Sequence, residues 1–180
     1  VLVTLIIFLF LGNIKSVIVP AIALPVSLIG TFIGLWIFDL SINIFVLLSF
    51  VLAIGIITDD SVIISEEINR RIEDGETSLV AAWLGAKRVT APIISTTLVL
   101  VASFAPLIFL SGITGTLFRE TAIALSFAIV VSSFVALTLS PALAANFLSK
   151  NMKKAKIALK FEKYYKSFLE FYVETLDYWI

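Results

Sequence analysis

From Ile42 to Ile64 the chain runs for 23 residues with Asp59 and Asp60 as its only ionisable side chains, and this limits what it can fold into more than any other feature does. An α-helix needs about 20 predominantly apolar residues to cross roughly 30 Å of hydrocarbon. Val17 to Phe38, Ala91 to Leu110 and Thr121 to Leu148 are comparable runs. A soluble core helix would break such runs at about 10 to 14 residues. With 60% hydrophobic and 14% charged residues, the chain also has too little polar surface to cover a water-soluble globule. The expected fold class is all-α, a polytopic transmembrane helix bundle of about five spans, the first partial, with a C-terminal amphipathic surface helix.

Zero Cys and zero His remove disulfides, thiolate metal sites, cysteine catalysis, and the commonest zinc ligand and general base. No catalytic residue or metal site is expected, and a reading of the chain as an enzyme loses most of its tools. Basic residues gathered in loops act as topology signals, so nucleic acid is not an expected partner and the lipid bilayer is.

Val1 to Leu11 is about half a span and reads as the tail of a helix that begins before this chain. Gly12 to Ser16 reads as a polar turn. Pro20 and Pro25 interrupt the next span, which predicts a kinked helix packed against protein, where neighbours satisfy the freed carbonyls. Asp39-Leu40-Ser41 is a tight turn. The acid-bearing helix should continue through Ser65 to Glu73, with Glu66 one turn before Arg70, and end at Asp74-Gly75. Thr77 to Arg88 predicts a short surface helix, with Pro92 opening a new span. Ser111 to Glu120 reads as a connecting loop, and Pro141 falls in the last span. Beyond it, a basic stretch overlaps a stripe of Phe161, Tyr164, Phe168, Tyr172, Leu176 and Trp179, a helix lying on the membrane surface. Two units are expected: a transmembrane domain over 1–149 and a cytoplasmic amphipathic helix over 150–180.

Twelve of the thirteen Lys and Arg residues fall on alternate connections, leaving only Arg119 on the opposite side. By the positive-inside rule, loops 12–16 and 65–90 and the C-terminal tail are cytoplasmic.

Two adjacent carboxylates inside an apolar span are expensive, at about 2.5 to 3.5 kcal/mol each at a helix centre on insertion scales. Asp59 lies roughly 9 Å from the middle of the apolar window along the axis, too deep for so short a side chain to reach the interface. Successive residues point about 100° apart, so the two acids address different neighbours. Removal from water and a neighbouring like charge both favour the neutral acid, which brings proton uptake and release near neutral pH within reach. Asp59 and Asp60 are therefore candidate proton-relay residues; a buried ion pair or packing hydrogen bond without a transport role is the bland alternative. No Lys or Arg lies within any complete span, so a cationic partner must come from elsewhere in the protein. Thr58 and Ser61 could donate to the acids or bond back to their own helix. Ser95, Thr96 and Thr97 are candidate interhelical hydrogen-bonding groups. Glu66 reads first as a helix-end ion-pair residue. Ser49, Ala53 and Gly55 form a small-residue stripe suited to close packing.

The run Leu52-Ala53-Ile54-Gly55-Ile56-Ile57-Thr58-Asp59-Asp60-Ser61-Val62-Ile63-Ile64-Ser65-Glu66 resembles the fourth transmembrane helix of resistance-nodulation-division (RND) multidrug efflux permeases of the AcrB type. Pro20 to Gly34, Ser111 to Glu120 and Leu137 to Leu143 resemble that family's third helix, outward loop and sixth-helix end, in the same order. The resemblance implies helices two (partial) to six of a proton-coupled antiporter in the bacterial inner membrane, exporting drugs or amphiphiles. It implies no cofactor beyond the proton gradient, a homotrimer, a periplasmic adaptor, an outer-membrane channel, and a Lys from a second repeat facing Asp59 and Asp60. Another RND exporter, of metal, lipid or a protein-translocation kind, is the nearest alternative. An intramembrane aspartyl protease needs its acids on facing helices, and a passive scaffold would tolerate loss of both.

Overall fold

The computed structural model describes residue 8 and residues 14–148. The expected partial span over 1–11 and the surface helix over 150–180 lie outside the described residues, apart from residue 8. Among the described residues there are four helices and no strand: α1 (Ile14–Ile37), α2 (Ile44–Glu73), α3 (Ser78–Ile108) and α4 (Gly112–Phe147). All four are long and apolar enough to cross a bilayer, as expected of an all-α polytopic bundle. All five prolines of the chain, Pro20, Pro25, Pro92, Pro106 and Pro141, sit inside these helices. Each would cost about 3 kcal/mol in an isolated helix interior and is tolerated where the surrounding bundle holds the backbone.

α4 is the centre of the bundle, packing against α1, α2 and α3. Its buried positions Ala122, Ala124, Leu125, Ala128, Ile129, Ser132, Ser133, Ala136, Ser140 and Ala144 cover somewhat more than half of its circumference, while Val130, Phe134 and Thr138 form an exposed side. Most are Ala or Ser, so neighbouring backbones come close. α1 answers with Ser27, Gly30, Thr31 and Gly34 on one face. A Cβ at Gly30 would meet Val131, and one at Gly34 would run into the ring of Phe127. The Thr31 hydroxyl turns back to the Ser27 carbonyl at 2.7 Å, so it needs no partner on α4. Outward-facing Ile29, Trp36, Leu48, Leu52, Leu98 and Phe134 are exposed, the inversion of a soluble protein that a lipid solvent allows.

The connections have local causes. Asp39 adopts φ 50°, and the Leu40 amide reaches the Leu35 carbonyl at 3.0 Å, a left-handed helix end that Asp tolerates better than most residues. Asn43 caps α2, its side chain accepting from the Val46 amide at 2.9 Å. Gly75 ends the α2 connection at φ 107°, which only glycine adopts without penalty.

Three sequence expectations need correction. Residues 14–16 are already helical rather than part of a turn, because Ser16 is buried and its hydroxyl reaches Asn69 Oδ1 at 3.4 Å. The stretch 77–88 is no separate surface helix: α3 passes through Pro92 because Ala81, Gly85, Val89 and Ile93 form one buried stripe at four-residue spacing on both sides of it, and this packing outweighs one missing hydrogen bond. Nearly all of the expected loop 111–120 is the first turns of α4. Glu120 there accepts from Ser41 at 3.2 Å and from Asn43, clasping the α1–α2 connection. At the other end of the bundle, Ser16 meets Asn69, and Ser78 donates to the Leu148 carbonyl at 2.6 Å. Lys15, Arg70, Arg71, Lys87 and Arg88 therefore share one end while Arg119 lies at the other.

Gly34→Ala should destabilise the detergent-solubilised full-length protein by about 1 to 3 kcal/mol, the usual cost of overpacking. Adding Phe127→Ala should recover part of that loss by vacating the space. A thermal melt of the single and double variants checks both.

Candidate functional site

Asp59 and Asp60 fall in the middle of α2. Asp60 lies about 24 Å of helix from Ile44 and about 20 Å from Glu73, within the helix bounds Ile44–Glu73. Ala53, Ile57, Thr58, Ser61, Ile64 and Ser65 point inward on the buried face. The acids sit at the margin of that face, and the 100° step between them sends them to different surroundings.

Asp60 is half-buried and turned toward α4. Ser133 Oγ donates to its Oδ2 at 2.8 Å. Ser133 also pairs with Thr97 Oγ1 of α3, and Thr97 donates to the Ile93 carbonyl at 2.7 Å. One residue earlier on α4, Ser132 Oγ donates to the Ile57 carbonyl at 3.1 Å, and Ser140 Oγ reaches Ser61 Oγ at 3.4 Å. Three serines of α4 thus stitch the acid-bearing segment of α2 to the bundle centre.

Asp59 is exposed and has no hydrogen-bond or ion-pair partner among the described residues. It opens onto a groove of about 450 Å³ between α2 and α3, lined by Ile56, Asp60, Ile63, Ser95, Thr96 and Val99. The groove lies beside the segment of α3 that follows Ile93, its last fully buried residue, where Ser95, Thr96 and Val99 are exposed. A larger groove of about 760 Å³ between α3 and α4, beside Trp83, Lys87 and Pro141, contains no acid.

The supporting candidates divide. Ser95 and Thr96 line the groove, with the Thr96 hydroxyl bonded to the Pro92 and Ile93 carbonyls at 3.1 and 2.9 Å. Thr97 joins Asp60 through Ser133. Thr58 bonds back to the Ile54 and Gly55 carbonyls at 3.1 and 2.9 Å, and Ser61 faces Ser140, so neither serves the acids. Gly55 is exposed with open space around it, which removes it from the close-packing stripe of Ser49 and Ala53.

Glu66 does not make the expected pair with Arg70. Helical phase gives that role to Glu67, whose Oε1 meets Arg71 Nε at 3.0 Å and Arg88 Nη1 at 3.3 Å, while Arg71 also reaches Glu76 at 3.1 Å. This cluster locks the α2–α3 connection at the end of the bundle remote from Glu120. Ser132 and Ser133 escaped the sequence reading. The available signal was two consecutive hydroxyls within an apolar run, with Ser140 seven residues on along the same face.

Glu67→Gln should lower the stability of the protein by about 1.5 to 3 kcal/mol, the range for hydrogen bonds to charged groups, while Glu66→Gln should leave the melting temperature within error. Equal effects would show that the two positions had been wrongly distinguished.

A family model described as the AcrB/AcrD/AcrF family matches residues 1–180, in agreement with the resemblance drawn from the acid-bearing helix. A protein of Haemophilus influenzae named as an uncharacterized transporter is 41% identical over 152 residues, covering 84% of this chain and 15% of its own length. The chain therefore spans a small part of the relative it matches.

Proposed function

The chain belongs to the AcrB/AcrD/AcrF family, and from that premise we propose that it is part of a proton-coupled exporter in which Asp59 and Asp60 carry the protons. The observation that carries the reading is the position of the pair: two adjacent acids midway along a membrane-length helix, one held by a serine inside the bundle and the other open to a groove. Carboxylates at such depth are retained at high cost and mark ion or proton pathways by default.

The chemistry follows from charge. When the pair is ionised, it attracts a cation strongly in the low-dielectric interior, and when protonated that attraction disappears. The Lys and Arg residues among those described lie toward the two ends of the bundle and make no ion pair with Asp59 or Asp60, so in this reading the counter-charge comes from another part of the protein. The exposed stripe of α2, with Leu48, Leu52, Gly55, Asp59 and Ile63, offers a surface for a helix bearing the Lys that the RND resemblance implies. Making and breaking that pair as protons enter and leave biases two arrangements of the membrane domain. Export of drugs or amphiphiles, a homotrimeric inner-membrane assembly, and a periplasmic adaptor and outer-membrane channel complete the proposal. In it, the end of the bundle carrying Lys15, Arg70, Arg71, Lys87 and Arg88 is cytoplasmic.

In the full-length transporter, Asp59→Asn and Asp60→Asn should each reduce proton-driven export to background while yield and oligomer assembly stay at the unmodified level. Asparagine keeps the shape and removes the titration. Unimpaired export by both variants would defeat the relay.

A further inference from the structure

Asp60 is joined through one serine hydroxyl to a longer line of hydrogen bonds. Ser133 Oγ lies 2.8 Å from Asp60 Oδ2. Ser133 Oγ and Thr97 Oγ1 form a hydrogen bond in which either is able to donate, and Thr97 Oγ1 lies 2.7 Å from the Ile93 carbonyl. Four oxygens from α2, α4 and α3 therefore form one line that starts at a carboxyl group and ends at a backbone acceptor. We propose that Ser133 and Thr97 are positioning residues for Asp60, holding its carboxyl group in both protonation states by reversing the direction of this single hydrogen-bond chain. The inference rests on the reading of Asp60 as a proton-carrying acid.

The donor inventory requires such a device. An ionised carboxylate only accepts, whereas a protonated one must also place a donor, and a hydroxyl is one of the few side chains able to serve either need. With Asp60 ionised, Ser133 donates to Oδ2 and accepts from Thr97. With Asp60 protonated, its new O–H donates to Ser133, Ser133 donates to Thr97, and Thr97 donates to the Ile93 carbonyl. The arriving proton comes from water and returns to it. No O–H bond of Ser133 or Thr97 breaks, and only the hydroxyl rotors turn. A lysine or arginine could serve the ionised state alone, because neither accepts.

The surroundings leave few competing partners. On α2 the neighbouring titratable group is Asp59, which turns to the groove. α3 and α4 present Thr97 and Ser133; the nearest charged groups on those helices, Lys87 and Arg88 on α3 and Arg119 and Glu120 on α4, lie about 13 to 21 Å away along their axes. α1 carries Lys15 at its start. The chain ends at Ile93, 1% exposed and the last fully buried residue of α3. A change of protonation on α2 is thereby felt at the backbone of α3, and mutual polarisation along the chain strengthens the coupling.

The test is infrared difference spectroscopy between high and low pH on the purified full-length transporter in lipid. It reads the C=O stretch of protonated Asp60, identified as the band that Asp60→Asn removes. Ser133→Ala should move that band to higher wavenumber, since the acid loses its acceptor. Thr97→Val, which keeps shape but removes the onward acceptor, should move it the same way by a smaller amount, and Thr97→Ser should restore the original position. A band unmoved by both Ser133→Ala and Thr97→Val would overturn this inference and leave the relay standing. If Asp60→Asn removes no titrating band, Asp60 carries no proton and both fail together.

Discussion

The bundle is organised around the cost of holding a carboxylate away from bulk water. At about 2.5 to 3.5 kcal/mol per acid on insertion scales, α2 is tolerable in a membrane only if neighbouring helices offer polar partners at the depth of Asp59 and Asp60. Long side chains would hold those helices apart, so the partner helix must be built from small residues with hydroxyls among them. α4 meets both demands, with alanines at 122, 124, 128, 136 and 144 and serines at 132, 133 and 140. Ser132 grips the backbone of α2 at Ile57 and Ser133 grips the acid. Interhelical hydrogen bonds of this kind average only about 0.6 kcal/mol in membrane proteins, so the serines do less for global stability than for fixing the rotation of α2 about its axis.

That rotation decides which acid faces inward. With Asp60 turned to Ser133, the 100° helical step puts Asp59 toward the α2–α3 groove. The close fit of α1 against α4 at Gly30 and Gly34 and the polar clasps at both ends, Glu120 with Ser41 and Asn43 and Glu67 with Arg71 and Arg88, hold the four helices in register. The second half of α3 is the exception. Beyond Ile93 it has no fully buried side chain and touches the bundle through Thr97 with Ser133 and the partly buried Phe104, so it has few local interactions to break in any rearrangement.

Membrane-length apolar runs made the four spans legible in the sequence, and the acid pair stood out because nothing else in those runs is ionisable. Less legible were features that depend on a partner helix. Pro92 carries the local signature of a helix start, yet a buried stripe that exists only once α3 meets its neighbours carries the helix through it. The polar residues from Ser111 to Glu120 looked like a loop because a helix extending past the hydrocarbon has the same composition as one. Glu66 and Glu67 have the same chemistry and differ by one step of helical phase, which only the position of Arg88 resolves. Ser133 is silent in the sequence for the same reason: a serine in an apolar span bonds to its own helix as readily as to another, and Thr58 and Thr138 do so here.

The two acids are unequal, and the inequality says how the site is divided. Asp60 finds its hydrogen bond within this chain, from a neutral hydroxyl able to serve the charged and uncharged forms alike. Asp59 has neither hydroxyl nor cation among the described residues, and a charge left so at that depth is the costlier of the two. A cation from another part of the protein would therefore gain most by meeting Asp59, while Asp60, already held, would keep α2 at the rotation that presents its neighbour. On the proposed division Asp60 would set geometry, Asp59 would take the counter-charge, and proton uptake at either one would weaken the attraction for that cation.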